Sequence, residues 1–382
     1  MKIFYIDPMS YNNLAIYDYS ILNSLSRLNG ITFFCSAHYD LDENIKNICF
    51  KRVFSYNKIS NKFIKLISYI CSLCIILWLA FRQKPQIIHI QWIRVPFIDR
   101  FFIWAYMACG AKVVYTAHNL LPHDDLKRKS IKAYQPIYKL VTAIVVHAKS
   151  SKNELITDFN IESDKISVIE HGLVEIKHND EAIVKISEDI VKKEGLSEKI
   201  ILTSFGSQSI YKGIDIVNSY LKEHTPFLKE NQVTFIIAGK TPEHYANSLV
   251  KNESVILLNR YITDDEYIAL SRLSDVILLP YINISQSGVL MSALNESVPV
   301  LVSHVGGLYE PLQIADIGWD MGEPNYDSFA AMIKKLIVDK ASVKAKKNDK
   351  EAWNKIHSYY SWDRIGKRTF NLYKTLVYNS KE

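Results

Sequence analysis

Cysteine is scarce in this sequence: Cys35, Cys49, Cys71, Cys74 and Cys109 are the only five in 382 residues. An odd number set in apolar segments argues against a disulfide framework and suits reduced, buried thiols in a cytoplasm. Cys71-Ser-Leu-Cys74 has metal-ligand spacing, but no second pair accompanies it and its surroundings are hydrophobic, so core packing is expected. The glycine-bearing turn Phe205–Gly213 lacks a Gly-Lys-Ser/Thr ending, which excludes a P-loop there. Asp7-Pro-Met-Ser-Tyr-Asn-Asn13 has no glycine at all, which argues against a dinucleotide fingerprint. No segment interleaves aromatic and basic residues, so nucleic acid is not an expected partner. Repeats and low-complexity tracts are also missing. The opening Met1-Lys-Ile-Phe-Tyr-Ile runs directly into a strand pattern, so no signal peptide is expected.

What is there is globular: 48% apolar and 23% charged residues, in a length that suggests two domains. The net charge of +6 is uneven. Residues 1–175 hold 21 Lys/Arg against 14 Asp/Glu, and the remainder holds 25 against 26. The basic half favours an anionic partner such as a membrane surface or a phosphorylated acceptor. Leu66–Phe81 is almost wholly apolar and flanked by Lys62, Lys65, Arg82 and Lys84. At about sixteen residues it falls short of the ~20 that span a bilayer. A core helix with some exposed face is expected, with peripheral membrane attachment as a second reading.

Strand and helix patterns alternate along the chain. In the first half strands are expected at Lys2–Asp7, Gly30–Ser36, Phe50–Phe54, Ile87–Gln91, Lys112–Ala117, Ala143–His147 and Ile166–Glu170. Helices are expected at Asn13–Leu28, Leu66–Phe81, Phe101–Cys109, Ile131–Lys139 and Ser151–Asp158. After a pause at His171-Gly172 and a charged helix, the second half gives strands at Ile200–Phe205, Val233–Ala238, Val255–Leu258, Val276–Pro280 and Val298–Ser303. Helices Ile214–Leu221, Pro242–Lys251, Asp264–Leu273, Val289–Leu294 and Tyr326–Val338 alternate with them, and Lys350–Val377 closes the chain as a helix. The fold class is therefore α/β: two Rossmann-like domains with an interdomain cleft. The expected domains are 1–175 and 176–364, with 365–382 packing back on the first.

In such sheets ligands lie beyond the carboxyl ends of the strands, so the turns there carry the candidates. Ser285-Gln-Ser-Gly288 stands between an apolar strand and a helix beginning at Val289, where free N–H groups and a helix dipole favour an anion. Gly206 allows close backbone approach, and Lys212 brings a charge suited to phosphate. Tyr115-Thr-Ala-His-Asn119 puts His118 and Asn119 at a strand end, His118 with a near-neutral reference pKa. His89 reads as structural and His171-Gly172 as a hinge or wall turn. The polar side chains of Asp7–Asn13 are candidates for holding an acceptor hydroxyl. Asp40-Leu-Asp42 reads as a solvated turn, and no required metal is expected.

Together these turns resemble the retaining GT-B glycosyltransferases of the family 4 type. The resemblance is carried by Thr116-Ala-His-Asn119, Val168-Ile-Glu-His-Gly172, Phe205-Gly with Tyr211-Lys-Gly213, Pro280-Tyr with Ser285-Gln-Ser-Gly-Val-Leu290, Pro299-Val300, and Gly306-Gly with Glu310. It implies catalytic roles for His118 and Lys212. It implies donor binding by Gly206, Ser207, Lys212, Ser285, Gln286, Ser287, Gly288, Val289 and Ser292. Asn12, Asn13 and Asn119 are expected on the acceptor side. Ser207 and Ser292 replace charged residues found in many relatives. The implied reaction is metal-independent hexosyl transfer from a UDP- or GDP-sugar, with no cofactor besides that donor. The implied acceptor is a glycan or a polyprenyl-diphosphate-linked acceptor of a growing surface polysaccharide, and the implied location is cytoplasmic, with the inner face of the membrane as a second reading. A non-catalytic scaffold homologue and a sugar-nucleotide epimerase are the alternatives.

Overall fold

Apolar runs of three to seven residues, separated by amphipathic helices, assemble into two wholly parallel sheets. The computed structural model describes residues 1–28, 30–121, 130–242 and 249–378. Its chain divides into one unit formed by Met1–Gly172 with Tyr360–Glu382 and a second formed by Leu173–Tyr359.

The first unit holds β1 (Ile3–Ile6), β2 (Ile31–Ser36), β3 (Ile48–Phe54), β4 (Ile87–Ile90), β5 (Lys112–Thr116), β6 (Ala143–Val146) and β7 (Ile166–Val168), in the order β3-β2-β1-β4-β5-β6-β7. The second holds β8 (Ile200–Phe205), β9 (Val233–Ala238), β10 (Val255–Leu258), β11 (Val276–Leu279), β12 (Val300–Val302) and β13 (Gly318–Asp320), in the order β10-β9-β8-β11-β12-β13. The central strands β1, β4, β8 and β11 are buried at every position, as parallel strands covered on both faces must be. Each order reverses once, between β1 and β4 and between β8 and β11. A crevice opens at the carboxyl ends of strands where the order reverses, so these two points are where each unit can hold a ligand.

Helices α1 (Ala15–Leu25), α2 (Lys62–Gln83) and α3 (Pro96–Ala108) cover the first sheet. One face carries α2 and α3, whose Tyr69, Leu73, Ile76, Phe102, Ile103 and Tyr106 share a core with Phe4, Ile88 and Val113. The other face carries α1 and the helix Trp362–Tyr378, whose Ile365 and Tyr373 pack with Tyr5 and Ile21. Glu170 anchors that last helix by ion pairs to Arg364, at 3.3 Å, and to Arg368.

Several boundaries differ from the sequence reading. The first unit ends at Gly172, where 175 was expected, and the chain rejoins it at Tyr360, where 365 was expected, because Trp362 packs directly on Gly172 and Tyr17. Lys350–Val377 is two helices, Lys350–Tyr359 and Trp362–Tyr378. The apolar helix is longer than its apolar run. Asn61 caps it by accepting the N–H groups of Phe63 and Ile64, which extends it to 22 residues and contributes about 1 kcal/mol. Cys71 and Cys74 are exposed, where core packing was expected, because they fall on its outward stripe. Strand β13 and the helix Lys340–Asn348 were not anticipated. Most of the expected helix Pro242–Lys251 lies outside the described residues, as do Pro122–Asp125 after the His118 turn.

Candidate functional site

In the second unit the turns after β8 and β11 flank the reversal point and converge on Lys212. Gly206 leaves β8 at φ +91°, and a Cβ there would lie 2.4 Å from the Lys212 Nζ and 4.0 Å from Val289 Cγ2. Glycine is therefore required twice over, for the backbone angle and for the space the ammonium occupies. Gln208, buried at the centre of the turn, donates its amide to the Gly206 carbonyl at 2.9 Å. A short 3-10 turn, Ile210–Lys212, then aims the lysine inward. Gly213, at φ +75°, sits so close to Pro280 that a Cβ would fall 2.0 Å from its carbonyl oxygen. Ile282 donates its N–H to the Tyr211 carbonyl at 2.7 Å, so the two turns are bonded to each other.

The lysine is poorly satisfied. Among the described residues its ammonium hydrogen-bonds only the Phe205 carbonyl, at 3.5 Å, and lies 5.7 Å from the Tyr281 ring centre. Among the described residues no carboxylate forms an ion pair with it. Burial pushes its pKa down to about 8. A half-buried cation without a counter-ion, at the end of a central strand, is an anion site awaiting its anion.

The helix Gly288–Asn295 begins beside it. Ser287 is its N-cap, accepting the Leu290 N–H at 3.3 Å, and Gln286 accepts the Ser287 N–H through its own side chain at 3.2 Å. These bonds leave the exposed N–H of Gly288 and the half-buried Val289 at the positive end of the helix. Ser285 is half-buried, and its carbonyl accepts the Gly307 N–H at 3.1 Å. Ser207 is exposed at the rim. Ser292 departs from expectation. Its side chain is buried and its hydroxyl is closed off from solvent beside the Tyr267 hydroxyl, with which it interacts, so it presents no open face to a donor.

In the first unit, strand ends bring together residues far apart in sequence. His118 follows β5, Gln91 and Trp92 follow β4, His147 follows β6, and His171 follows β7. Tyr17 of α1 meets all three histidine rings, at centroid distances of 4.8 Å to His118, 5.5 Å to His147 and 5.0 Å to His171. Trp92 stacks on His118 at 4.7 Å and 13°. The reference pKa of histidine does not carry over to His118. Burial, then His147, His171 and His89, hold it well below the usual histidine range.

Its tautomer follows from its neighbours. His147 Nδ1 lies 2.9 Å from the Ile169 carbonyl, which can only accept, so that nitrogen carries the proton. Burial holds His147 neutral, its pKa at about 3, so its Nε2 is an acceptor. His118 Nδ1, 3.1 Å away, must then be the donor. That leaves His118 Nε2 as an acceptor facing the Gln91 amide at 3.0 Å, and the chain is satisfied when Gln91 presents its NH2 group. This orientation also gives the buried Gln91 amide nitrogen a partner.

His89 is structural, as expected: it bonds Tyr373 at 2.5 Å and Thr116 at 2.7 Å inside the core. The Asp7–Asn13 turn is largely used up internally. Asp7 is buried and accepts the Met9 N–H at 2.5 Å, and Ser10 bonds the Asp7 carbonyl at 2.9 Å and receives the Ser36 N–H at 2.8 Å. Asn12 is exposed at φ 51°, Asn119 is half-buried, and the side chain of Asn13 lies outside those described. Desolvation raises Asp7 to about 7, and the neighbouring Asp18 also lies above the usual carboxylate range. Gln91, Trp92, His147 and Gln208 were missed from sequence. The available signal was their place just past a strand end. No group of three or more His, Cys, Asp or Glu suited to a metal occurs among the described residues.

Residues 19–174 match the family model for Glycosyltransferase Family 4, and residues 199–339 match that for Glycosyl transferases group 1. An uncharacterized glycosyltransferase of Methanocaldococcus jannaschii is 27% identical over 291 residues, 74% of this chain and 70% of that protein. Among solved structures, HepE of Anabaena in complex with UDP-glucose superposes with a TM-score of 0.69 at 14% identity, covering 98% of this chain and 100% of the other. WaaG, a glycosyltransferase involved in lipopolysaccharide biosynthesis, gives 0.66 at 13% identity, with 97% and 99% covered. Both family models fall on the sheets just described, and the structural likeness extends over nearly the whole chain. The chain belongs to the GT-B glycosyltransferases of the family 4, group 1 type.

Proposed function

We propose that this glycosyltransferase transfers a hexose from a UDP- or GDP-sugar to a growing, lipid-linked surface polysaccharide at the cytoplasmic face of a membrane, with retention and without a metal. The observation that carries the donor side is Lys212, an ammonium with no ion-pair partner among the described residues, held between two strand-end turns at the reversal point of the second sheet. A donor diphosphate supplies the anion this site lacks. The Gly288 and Val289 amides add dipoles, so charge developing on the leaving diphosphate meets preorganised donors. UDP-glucose bound by the Anabaena HepE fold supports a nucleotide-sugar donor. The role of WaaG in lipopolysaccharide biosynthesis supports a surface-glycan acceptor.

On the acceptor side, His118 contributes a neutral ring in a fixed tautomer, stacked on Trp92, and its part is to orient substrate rather than to supply a proton. Asn12 and Asn119 are the residues proposed to meet acceptor hydroxyls. The decisive experiment incubates the protein with a panel of UDP- and GDP-sugars and a short-chain polyprenyl-diphosphate-linked acceptor, then identifies product and anomeric configuration. A retained linkage formed without added metal is the expected result. Failure to bind any nucleotide sugar by calorimetry would replace catalysis with a scaffold role.

A further inference from the structure

The helix α2 turns one whole apolar side outward. Phe63, Ile64, Ile67, Cys71, Cys74, Ile75, Trp78 and Phe81 are all exposed, and at 100° per residue they fall within a single third of the helix circumference. The opposite side, Tyr69, Ser72, Leu73, Ile76 and Ala80, is buried on the sheet. Only 28% of the most apolar stretch is buried, at a mean hydropathy of 2.2. Beside it α3 repeats the pattern. Phe97, Arg100, Phe101, Trp104 and Ala108 form its outward stripe, and Phe97 is 85% exposed. Both helices lie on the same face of the first sheet, so both stripes point away from it together. Tyr69 of α2 donates to Asp99 of α3 at 2.5 Å, and Asp99 also receives the Arg94 and Val95 N–H groups, which ties the two helices into one platform.

Charge identifies what this platform faces. Between Glu43 and Asp99 there is no acidic residue, but there are nine Lys or Arg. Lys58, Lys62, Arg82, Lys84, Arg94 and Arg100 are exposed at the ends and flanks of the stripes. An exposed aromatic surface ringed by cations that form no ion pair among the described residues is complementary to an anionic bilayer.

We propose that the outward faces of α2 and α3 form a monotopic docking surface for an anionic lipid bilayer. The helix lies in the interface and does not cross. At 22 residues α2 is long enough to span, but it is the connection between β3 and β4 of one sheet, so both its ends are tied to the same body. Insertion across a bilayer would strip Tyr69, Leu73, Ile76 and Ala80 from the core. Because a crossover helix starts at the carboxyl edge of its sheet, Phe63 of α2 and Phe97 of α3 lie toward the edge that bears His118. A docked membrane would therefore adjoin that site. The inference stands on the surface itself and does not depend on the identity of donor or acceptor.

The test is sedimentation of the full chain with phosphatidylglycerol/phosphatidylcholine vesicles and with phosphatidylcholine alone, at low and at high salt. Strong pelleting on the anionic vesicles at low salt, with a blue shift of tryptophan fluorescence, is expected. A Phe97→Ser/Trp78→Ser/Trp104→Ser variant should bind at least about tenfold more weakly, and Lys62→Glu/Arg82→Glu should lose most anionic preference. These side chains are exposed, and a circular dichroism spectrum and melting curve matching those of the unsubstituted chain verify that the variants are folded. Retention of the chain in the supernatant at low salt would overturn the proposal. So would pelleting unaffected by the serine variant, or self-association through these faces without vesicle binding. Protection of residues from both ends of α2 on opposite sides of the vesicle, read by protease or thiol labelling from outside, would make the helix a spanning one and overturn the monotopic assignment. None of these results bears on glycosyl transfer, which is measured separately with a soluble acceptor.

Discussion

The Lys212 ammonium occupies the space that a side chain on Gly206 would need, 2.4 Å from the position of its Cβ. The two residues are thus one device, and substituting either disables it. Gly206→Ala should expel the lysine and strain a backbone at φ +91°. Transfer should fall by at least about tenfold with a stability loss of about 1 kcal/mol, checked by steady-state kinetics and thermal melting.

Lys212→Ala should lower transfer by about 100-fold, the usual consequence of removing one preorganised charge-stabilising group. The fold should survive, because the lysine makes a single long hydrogen bond. Donor affinity in the unsubstituted protein should also weaken as pH rises through about 8, where the buried ammonium loses its proton. Calorimetry with UDP at pH 7 and pH 9 reads this directly, and the alanine variant should show little of that dependence.

Ser292→Ala should leave nucleotide-sugar affinity unchanged. The hydroxyl it removes is buried against Tyr267 and closed off from solvent, so the change in stability should stay within about 1 kcal/mol, checked by thermal melting. A large loss of affinity would restore the donor-binding role expected from the sequence.

His147→Phe should release His118 from its fixed tautomer. The effect belongs in kcat, a drop of about tenfold, with UDP affinity unmoved because Lys212 and its turns are in the other unit. A matching loss of nucleotide binding would show general unfolding instead.

Acid should weaken the first unit. His89 and His147 are held down to about 3 and His171 to about 4, by burial first in each case, while their unfolded values are near 6.5. Below that unfolded pKa the unfolded chain binds more protons than the native one, so stability falls as pH drops from about 6.5 toward 4. Asp7, raised to about 7 by desolvation, acts with the opposite sign: it favours the folded state at low pH and loses that contribution as pH rises through about 7. Asp18, also raised, and Asp99, raised to about 6, act in the same sense as Asp7, so the histidine contribution is read by difference: thermal melts from pH 4 to pH 8 should show a shallower acid decline in His147→Phe than in the unsubstituted protein.

The sequence carried the fold well because a parallel sheet advertises itself. Val276-Ile-Leu-Leu279 and Ile87-Ile-His-Ile90 are near-continuous apolar runs, which follow from burial on both faces. Small elements escaped. Gly318-Trp-Asp320 is three residues at a sheet edge, too short for any period to register. At the donor site Lys212 and Ser287 were legible because turn chemistry is local. The burial of Ser292 was not, since it depends on Tyr267 arriving from another helix. The histidine cluster was legible only in part. His118 stood out at a strand end, but the partners that fix its proton come from strands β4, β6 and β7. Such proximity is a property of strand order, which no local pattern encodes.

The contact between His147 and the Ile169 carbonyl has one further consequence. A peptide oxygen is present whatever side chain residue 169 bears, so the position of the proton on His118 is inherited from the backbone path. Drift at position 169 leaves it untouched. As long as His147 is kept, a shift of strand β7 against β6 is what would reset it, which ties the electronic state of the ring to the register of the sheet.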